Sequence, residues 1–258
     1  MLNLNNPNSF SEKIQWIKVF GQLEKYSKYV DKYDVREYVK NTAGKQYLIP
    51  LVGMWNNFEN IPFEKLPKKF VLKATHGSGY NYICKDKSLI DIKQLKKLAS
   101  KWLKENYYKK GREEQYKLCW PKIICEGYLE DDSGSLRDYK IFCFNGIPQI
   151  IQIDSDRFSV HKRDLMNIDW ERLPVTLGGH SNLNKIILKP KKLPEMIEIA
   201  KKLSKKIPFV RVDLYLINNK IYFGELTFTP GNGLEKFFPN EADYQFGELI
   251  DLSKYHNN

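Results

Sequence analysis

The sequence predicts an α+β fold built on antiparallel sheets, and three observations carry that expectation. Short runs rich in β-branched and aromatic residues come in adjacent pairs, at 70–74 with 82–84, 139–144 with 147–153, and 210–216 with 221–228. The tips between them carry turn chemistry: Gly77-Ser-Gly79, Asn145-Gly146 and Asn218-Asn219. Asn-Gly in particular supplies the two positive-φ residues of a type I′ turn. Helical patterns precede and separate these pairs instead of alternating with single strands, which argues against a doubly wound parallel sheet.

Taken in order, the chain opens with a helix on which Ile14, Ile17 and Phe20 form an apolar face, with Trp16 beside it. A second helix is expected over 31–40, stopped by Asn41-Thr-Ala-Gly44. Residues 50–67 read as loop and lead into the first hairpin. An amphipathic helix over 92–107 sets Leu95, Leu98 and Leu103 near one face. A short strand at 122–126 and a loop at 131–135 precede the second hairpin. Residues 155–190 read as irregular. A helix over 194–206, with Pro194 tolerated in its first turn, leads to the third hairpin. The loop Pro230-Gly-Asn-Gly233 and a closing helix over 242–254 complete the chain.

A chain of 258 residues can bury a substantial core as one domain or two lobes. Its 42% hydrophobic and 28% charged residues are ordinary globular values, which argues against extended disorder. No apolar run approaches the roughly 20 residues of a membrane helix. The N-terminus lacks the basic and apolar regions of a secretory signal, so a cytoplasmic protein is expected. Cys84, Cys119, Cys125 and Cys143 lack zinc-ligand spacing and read as thiols, not as a disulfide framework. The formal net charge of +11 admits nucleic acid, an acidic surface or an anionic small molecule or polymer. The basic residues are spread along the chain with no block, which disfavours nucleic acid.

The chemistry-bearing segments begin with Arg211-Val-Asp213 and Glu225-Leu-Thr227. Alternation along a strand puts Arg211 and Asp213 on one face, and Glu225 and Thr227 on one face of the returning strand. Together they make a hard-oxygen set of the kind magnesium prefers; a surface salt bridge from Arg211 to one carboxylate is the alternative. A clean two-residue turn at Asn218-Asn219 would pair Asp213 with Gly224 and turn Glu225 to the opposite face. The shared site therefore requires a register shifted by one, through a bulge or a three-residue loop Asn218-Asn219-Lys220.

Lys73 followed by His76, Gly77, Ser78 and Gly79 can cradle phosphate through backbone N–H groups, or form an ordinary hairpin tip. It matches neither the P-loop nor the dinucleotide fingerprint. His76 is open to phosphate donation or to capping, and nothing supplies a nucleophilic triad. Glu126-Gly-Tyr128-Leu129 can offer backbone groups to an adenine edge. Asp138 and Lys140 share a strand face, suited to ribose hydroxyls and a phosphate or simply to solvent. Arg157, followed by His161, Lys162 and Arg163, can hold an acidic acceptor or form a solvated basic loop.

In this order these segments resemble the TupA-like group of the ATP-grasp superfamily, associated with teichuronopeptide and other cell-surface polymer loci. The resemblance runs through Phe10-Ser-Glu-Lys-Ile-Gln-Trp16, Asp31-Lys-Tyr-Asp-Val-Arg-Glu-Tyr-Val-Lys40, Phe70-Val-Leu-Lys-Ala-Thr-His-Gly-Ser-Gly79, Asp138-Tyr-Lys140, Arg211-Val-Asp-Leu-Tyr215 and Phe223-Gly-Glu-Leu-Thr-Phe-Thr-Pro-Gly231. It implies two lobes whose antiparallel sheets clasp a nucleotide: a short helical N-terminal segment at 1–66, a small lobe with the glycine-rich loop at 67–128, and a large lobe with the magnesium site at 129–258. It implies ATP contacts from Lys32, Lys73, the loop Gly77–Gly79, the hinge Glu126, Tyr128 and Leu129, Asp138 and Lys140. It implies magnesium ligands Asp213, Glu225 and Thr227, and a transition-state role for Arg211. Thr227 stands where many ATP-grasp enzymes have asparagine, and its short reach points to contact through water. The N-terminal stretch is shorter and more helical than the Rossmann-like lobe that usually precedes this fold.

The activity this implies is an ATP-dependent carboxylate–amine ligase acting through an acyl phosphate on a cell-surface or capsular polysaccharide precursor and an amino compound. Lys73, Arg211 and Arg157 are its candidate catalytic residues, with catalysis by positioning and charge neutralisation. A sugar-modifying transferase or kinase on the same fold is the second reading. A non-catalytic binder of polyanions, marked by salt-sensitive binding, is the third.

Overall fold

Turns whose two central residues both have positive φ organise the larger sheet. Asn145 and Gly146 sit at φ 54° and 79°, and Asn218 and Asn219 at 46° and 63°, the conformation whose twist matches that of the flanking strands. The computed structural model describes residues 2–130, 137–155, 162–180 and 186–255. In chain order the helices are α1 (Phe10–Phe20), α2 (Ser27–Val30), α3 (Val35–Thr42), α4 (Ile92–Lys104), α5 (Tyr108–Gly111), α6 (Leu193–Ser204) and α7 (Asn240–Glu248). The strands are β1 (Leu51–Trp55), β2 (Phe70–Ala74), β3 (Asn81–Cys84), β4 (Ile123–Gly127), β5 (Arg137–Phe144), β6 (Ile147–Ser155), β7 (Lys162–Asn167), β8 (Thr176–Leu177), β9 (Phe209–Ile217), β10 (Lys220–Thr227) and β11 (Phe237–Phe238).

The chain divides into a larger unit, Met1–Leu23 with Asp131–Asn258, and a smaller one, Glu24–Glu130. This differs from the expected boundaries at 66 and 128. Residues 24–66 join the smaller unit because β1 lies within them and pairs with β4.

The smaller unit holds a four-stranded antiparallel sheet in the order β1-β4-β2-β3. Along β2 burial alternates: Phe70, Leu72 and Ala74 are enclosed, while Val71 and Lys73 turn to the other face. The buried set packs against Leu95, Ala99 and Trp102 of α4. Asp91 caps α4 by accepting from Gln94 N at 3.0 Å, a bond type worth about 1 kcal/mol. Leu98, expected on the packed face, is 38% exposed. The strand β1 replaces loop in the expected 50–67 segment. The expected helix over 31–40 begins only at Val35, because Asp31 spends its carboxylate on a turn, accepting from Tyr33 N and Asp34 N.

The larger unit is built on the five-stranded antiparallel sheet β10-β9-β5-β6-β7, with a two-stranded ribbon β8–β11. Two strands thus lie where irregular chain was expected over 155–190, β7 and β8. One sheet face packs on α6, where Cys143 Sγ approaches Ala200 O at 3.9 Å. The other face is apolar at one end. There Phe142, Phe144 and Phe209 meet Phe10 of α1, their ring centroids 5.4 to 6.3 Å from that of Phe10. A capping box holds the start of α1, with Ser9 accepting from Glu12 N and Glu12 accepting from Ser9 N. Ile14 and Ile17 are fully enclosed, but Phe20, expected on that face, is 50% exposed at the helix end. The closing helix α7 ends at Glu248, short of the expected 254. Among the described residues no helix is long and apolar enough to cross a membrane. All four cysteines are free, and burial pushes the Cys125 and Cys143 thiols up to about 12, so neither is a nucleophile near neutral pH.

Candidate functional site

The larger unit turns polar two residues along from its aromatic end. The decisive feature is a bulge. The Asn218-Asn219 turn has two residues and pairs Lys220 with Ile217 and Phe223 with Leu214; Gly224 is then extra, so that Glu225 pairs with Asp213 and Thr227 with Arg211. The shifted register required for a shared site is present, made by the bulge and not by a three-residue loop. Gly224 fits because a Cβ there would lie 3.0 Å from Asp213 O and 3.1 Å from the Tyr215 ring.

Strand pairing then sets a row across one face: Glu225, Asp213, Lys140 and Gln152 on β10, β9, β5 and β6. Arg211 grips Asp213 with two bonds, Nε to Oδ1 and Nη2 to Oδ2, both 2.7 Å. Nη2 also donates to Thr227 Oγ1 at 3.2 Å and lies 3.7 Å from Glu225 Oε1. Thr227 Oγ1 donates to Glu225 Oε1 at 3.2 Å. Lys140 Nζ donates to Asp213 Oδ2 at 2.9 Å and to Asp138. Burial pushes the Asp213 carboxyl up, but the Arg211 and Lys140 charges outweigh it and hold it below its usual range.

The same face continues past the expected residues. Asp138 pairs with Asp154 across β5–β6, and Asp154 with Arg163 across β6–β7. Arg163 Nε donates to Asp154 Oδ1 at 2.9 Å, and its Nη1 to Leu177 O at 3.3 Å and Glu235 Oε2 at 3.2 Å. Gln152 Nε2 adds a bond to Asp154 Oδ1 at 2.9 Å. Burial works against the Asp154 charge, yet Arg163 and Lys140 bring its carboxyl down to about 2. Arg163 is therefore neither an open anion holder nor part of a solvated basic loop: it is 6% exposed and ion-paired. Arg157 and His161 lie outside the described residues. Among the described residues this network joins five carboxylates (Asp138, Asp154, Asp213, Glu225, Glu235) to three cations (Lys140, Arg163, Arg211).

The smaller unit carries the other expected residues. Lys73 Nζ donates to Glu126 Oε2 at 2.7 Å, and Arg36 Nη1 to Glu126 Oε1 at 3.0 Å. Lys32 donates through its backbone to Thr75 O at 3.1 Å and through Nζ to Gly77 O. His76 Nε2 donates to Trp102 O and Glu105 O at the end of α4, both at 3.1 Å, as a capping residue would. Burial lowers its pKa, so the neutral ring is favoured. Gly77 lies against the Tyr107 and Tyr80 rings, 2.5 and 2.8 Å from a notional Cβ, and only glycine fits there. Gly79, at φ +78°, has open space where a Cβ would point, a cradle of the sort backbone N–H groups offer to anions. Past β4, the Lys69 ammonium lies over the Tyr128 ring at 5.5 Å, and Leu129 is half-buried.

The residues thus fall into two sets, one per unit. Sequence reasoning missed Arg36, Gln152 and Asp154. The signal for Asp154 was its alternation with Gln152 on a strand otherwise rich in isoleucine.

The family model described as TupA-like ATPgrasp matches residues 12–251. The chain belongs to this family. Among solved structures, a D-alanine–D-alanine ligase from Bacillus anthracis is similar over 89% of this TupA-like chain and 66% of its own length, at 15% identity and a TM-score of 0.51. The ADP complex of purK, an N5-carboxyaminoimidazole ribonucleotide synthetase, is similar over 84% of the chain and 50% of its own, at 12% identity and a TM-score of 0.50. These likenesses show an ATP-grasp type of α+β fold. The TupA-like chain spans about half to two thirds of the length of these solved structures. No curated protein matches it.

Among the described residues, no group of three or more His, Cys, Asp or Glu side chains is disposed to hold a metal. Magnesium is ordinarily held by one or two carboxylates together with substrate phosphates. Asp213 and Glu225, facing each other across β9 and β10, supply two such carboxylates; Glu225 is the more open, while both Asp213 oxygens already accept from Arg211 or Lys140. Thr227 fits that donor set less well, since its hydroxyl is engaged by Arg211 and Glu225.

Proposed function

We propose that this TupA-like chain is an ATP- and magnesium-dependent carboxylate–amine ligase acting in cell-surface polysaccharide biosynthesis, with the reaction in the cytoplasm. The observation that carries the reading is the Gly224 bulge, which sets Glu225 opposite Asp213 and beside Arg211. Family membership and the fold support it.

In this reading Lys32, Lys73 and the Gly77–Gly79 loop take the nucleotide phosphates, the backbone of Glu126, Tyr128 and Leu129 takes the adenine edge, and Asp138 and Lys140 take ribose and phosphate. Asp213 and Glu225 would hold magnesium, which supplies charge neutralisation at the phosphates. A substrate carboxylate oxygen attacks the γ-phosphorus, the bond to the β-phosphate oxygen breaks, and ADP leaves. An amine then attacks the acyl carbon, loses a proton, and expels phosphate to leave an amide. Arg211 stabilises charge on the transferring group, its guanidinium plane fixed by the two bonds to Asp213. No protein nucleophile is needed, which suits a chain whose buried thiols are protonated.

An ADP-release screen over paired uronic-acid and amino compounds tests this. The ligase reading expects release only when both partners are present, and its loss in Glu225→Gln. ADP release with a sugar alone, and phosphate on that sugar, marks a kinase instead.

A further inference from the structure

Glu126 is shared by two cations from different elements. Lys73 of β2 takes Oε2 at 2.7 Å, and Arg36 of α3 takes Oε1 at 3.0 Å. Arg36 is itself anchored, with Nη2 donating to Ile49 O at 2.8 Å. The three side chains are only 16%, 8% and 20% exposed for Arg36, Glu126 and Lys73, so solvent screens these contacts less than it screens a surface pair. The trio carries one surplus positive charge, whereas Lys73 with Glu126 alone would be neutral.

We propose that Arg36 is a positioning residue for Lys73: it holds one oxygen of Glu126 and so keeps Lys73 incompletely neutralised and able to take a phosphate oxygen. This rests on the ligase reading, in which Lys73 contacts ATP. Arginine suits the task because its planar fork serves Glu126 and the Ile49 carbonyl at once and never loses its proton. Without it, both oxygens of Glu126 are free to turn to Lys73, and the ammonium is compensated before nucleotide arrives.

The test is calorimetric titration of ATP with magnesium chloride into the full chain, comparing the unaltered protein with Arg36→Met, Arg36→Lys, Glu126→Gln and the double variant Arg36→Met/Glu126→Gln. Arg36→Met is expected to weaken ATP binding about tenfold, with Arg36→Lys intermediate. In the double variant the defect should be relieved to within about twofold of Glu126→Gln alone, since no carboxylate is left to capture Lys73. An Arg36 that acts on stability alone leaves the ATP affinity of the folded chain within about twofold of the unaltered protein; that result, or losses that add in the double variant, overturns the inference. Where Arg36→Met does not fold, Arg36→Lys with and without Glu126→Gln reads the same relief. An unaltered chain that binds no ATP overturns the ligase reading and this inference together; additive losses in a chain that binds ATP overturn the inference alone.

Discussion

Asp213 faces Glu225 across β9 and β10 because Gly224 is one residue more than the pairing needs. Its φ is not in the left-handed region, so what favours glycine there is close approach to the Asp213 carbonyl and the Tyr215 ring. Gly224→Ala is expected to cost about 1–3 kcal/mol, read as a lower urea midpoint. Catalysis should fall further than stability alone explains, as the two carboxylates are displaced.

Glu225 and Thr227 should differ in weight. Glu225 is the more open carboxylate, its side chain 40% exposed against 3% for Asp213, and it is proposed to bear directly on magnesium and phosphate. Glu225→Gln is expected to lower turnover by about 10²–10³-fold. Thr227→Ala removes a hydroxyl already held by Arg211 and Glu225 and should cost less than about tenfold. Steady-state ADP release for the two variants, side by side, checks this ordering.

Asp154 gives the fold an acid-sensitive component. Its carboxyl is lowered from 3.8 to about 2. A depressed carboxylate contributes stability that is complete above the unfolded value and is lost as pH falls through the folded one. About 2 kcal/mol is therefore expected to disappear between pH 4 and pH 2. Urea midpoints of the unaltered protein and Asp154→Asn should converge across that window.

His76 acts in a higher window. Burial lowers it from 6.5, so the unfolded chain takes up a proton first and stability falls as pH drops below about 6.5. His76→Gln should be less stable at pH 7, having lost the bonds to Trp102 and Glu105, and should lose less on going from pH 7 to pH 5. Thermal melts at the two pH values check it.

Most of the hairpin architecture was legible because turn chemistry and alternation act locally. Asn145-Gly146 and Asn218-Asn219 each specify their own turn. The bulge was legible only as a requirement: a clean turn would have separated Asp213 from Glu225. The strands that escaped have tertiary causes. β1 is an edge strand interrupted by Gly53, and its Leu51 and Val52 are exposed, so no alternation marks it. β7 reads Lys-Arg-Asp-Leu-Met-Asn, and three charges in a row suggest loop. It is buried because Arg163 and Asp164 meet Asp154 and Arg172. Arg36 was hidden for the same reason, since a charge on a short helix resembles a solvated face until Glu126 arrives from a strand 90 residues away.

The central claim, that Asp213 and Glu225 form the magnesium end of an ATP site, is tested most directly by calorimetric titration of ATP with and without magnesium. The unaltered protein should bind ATP more tightly with magnesium present, and Glu225→Gln and Asp213→Asn should abolish most of that difference. ATP binding that is indifferent to magnesium in the unaltered protein, or a magnesium effect that survives both substitutions, would contradict it.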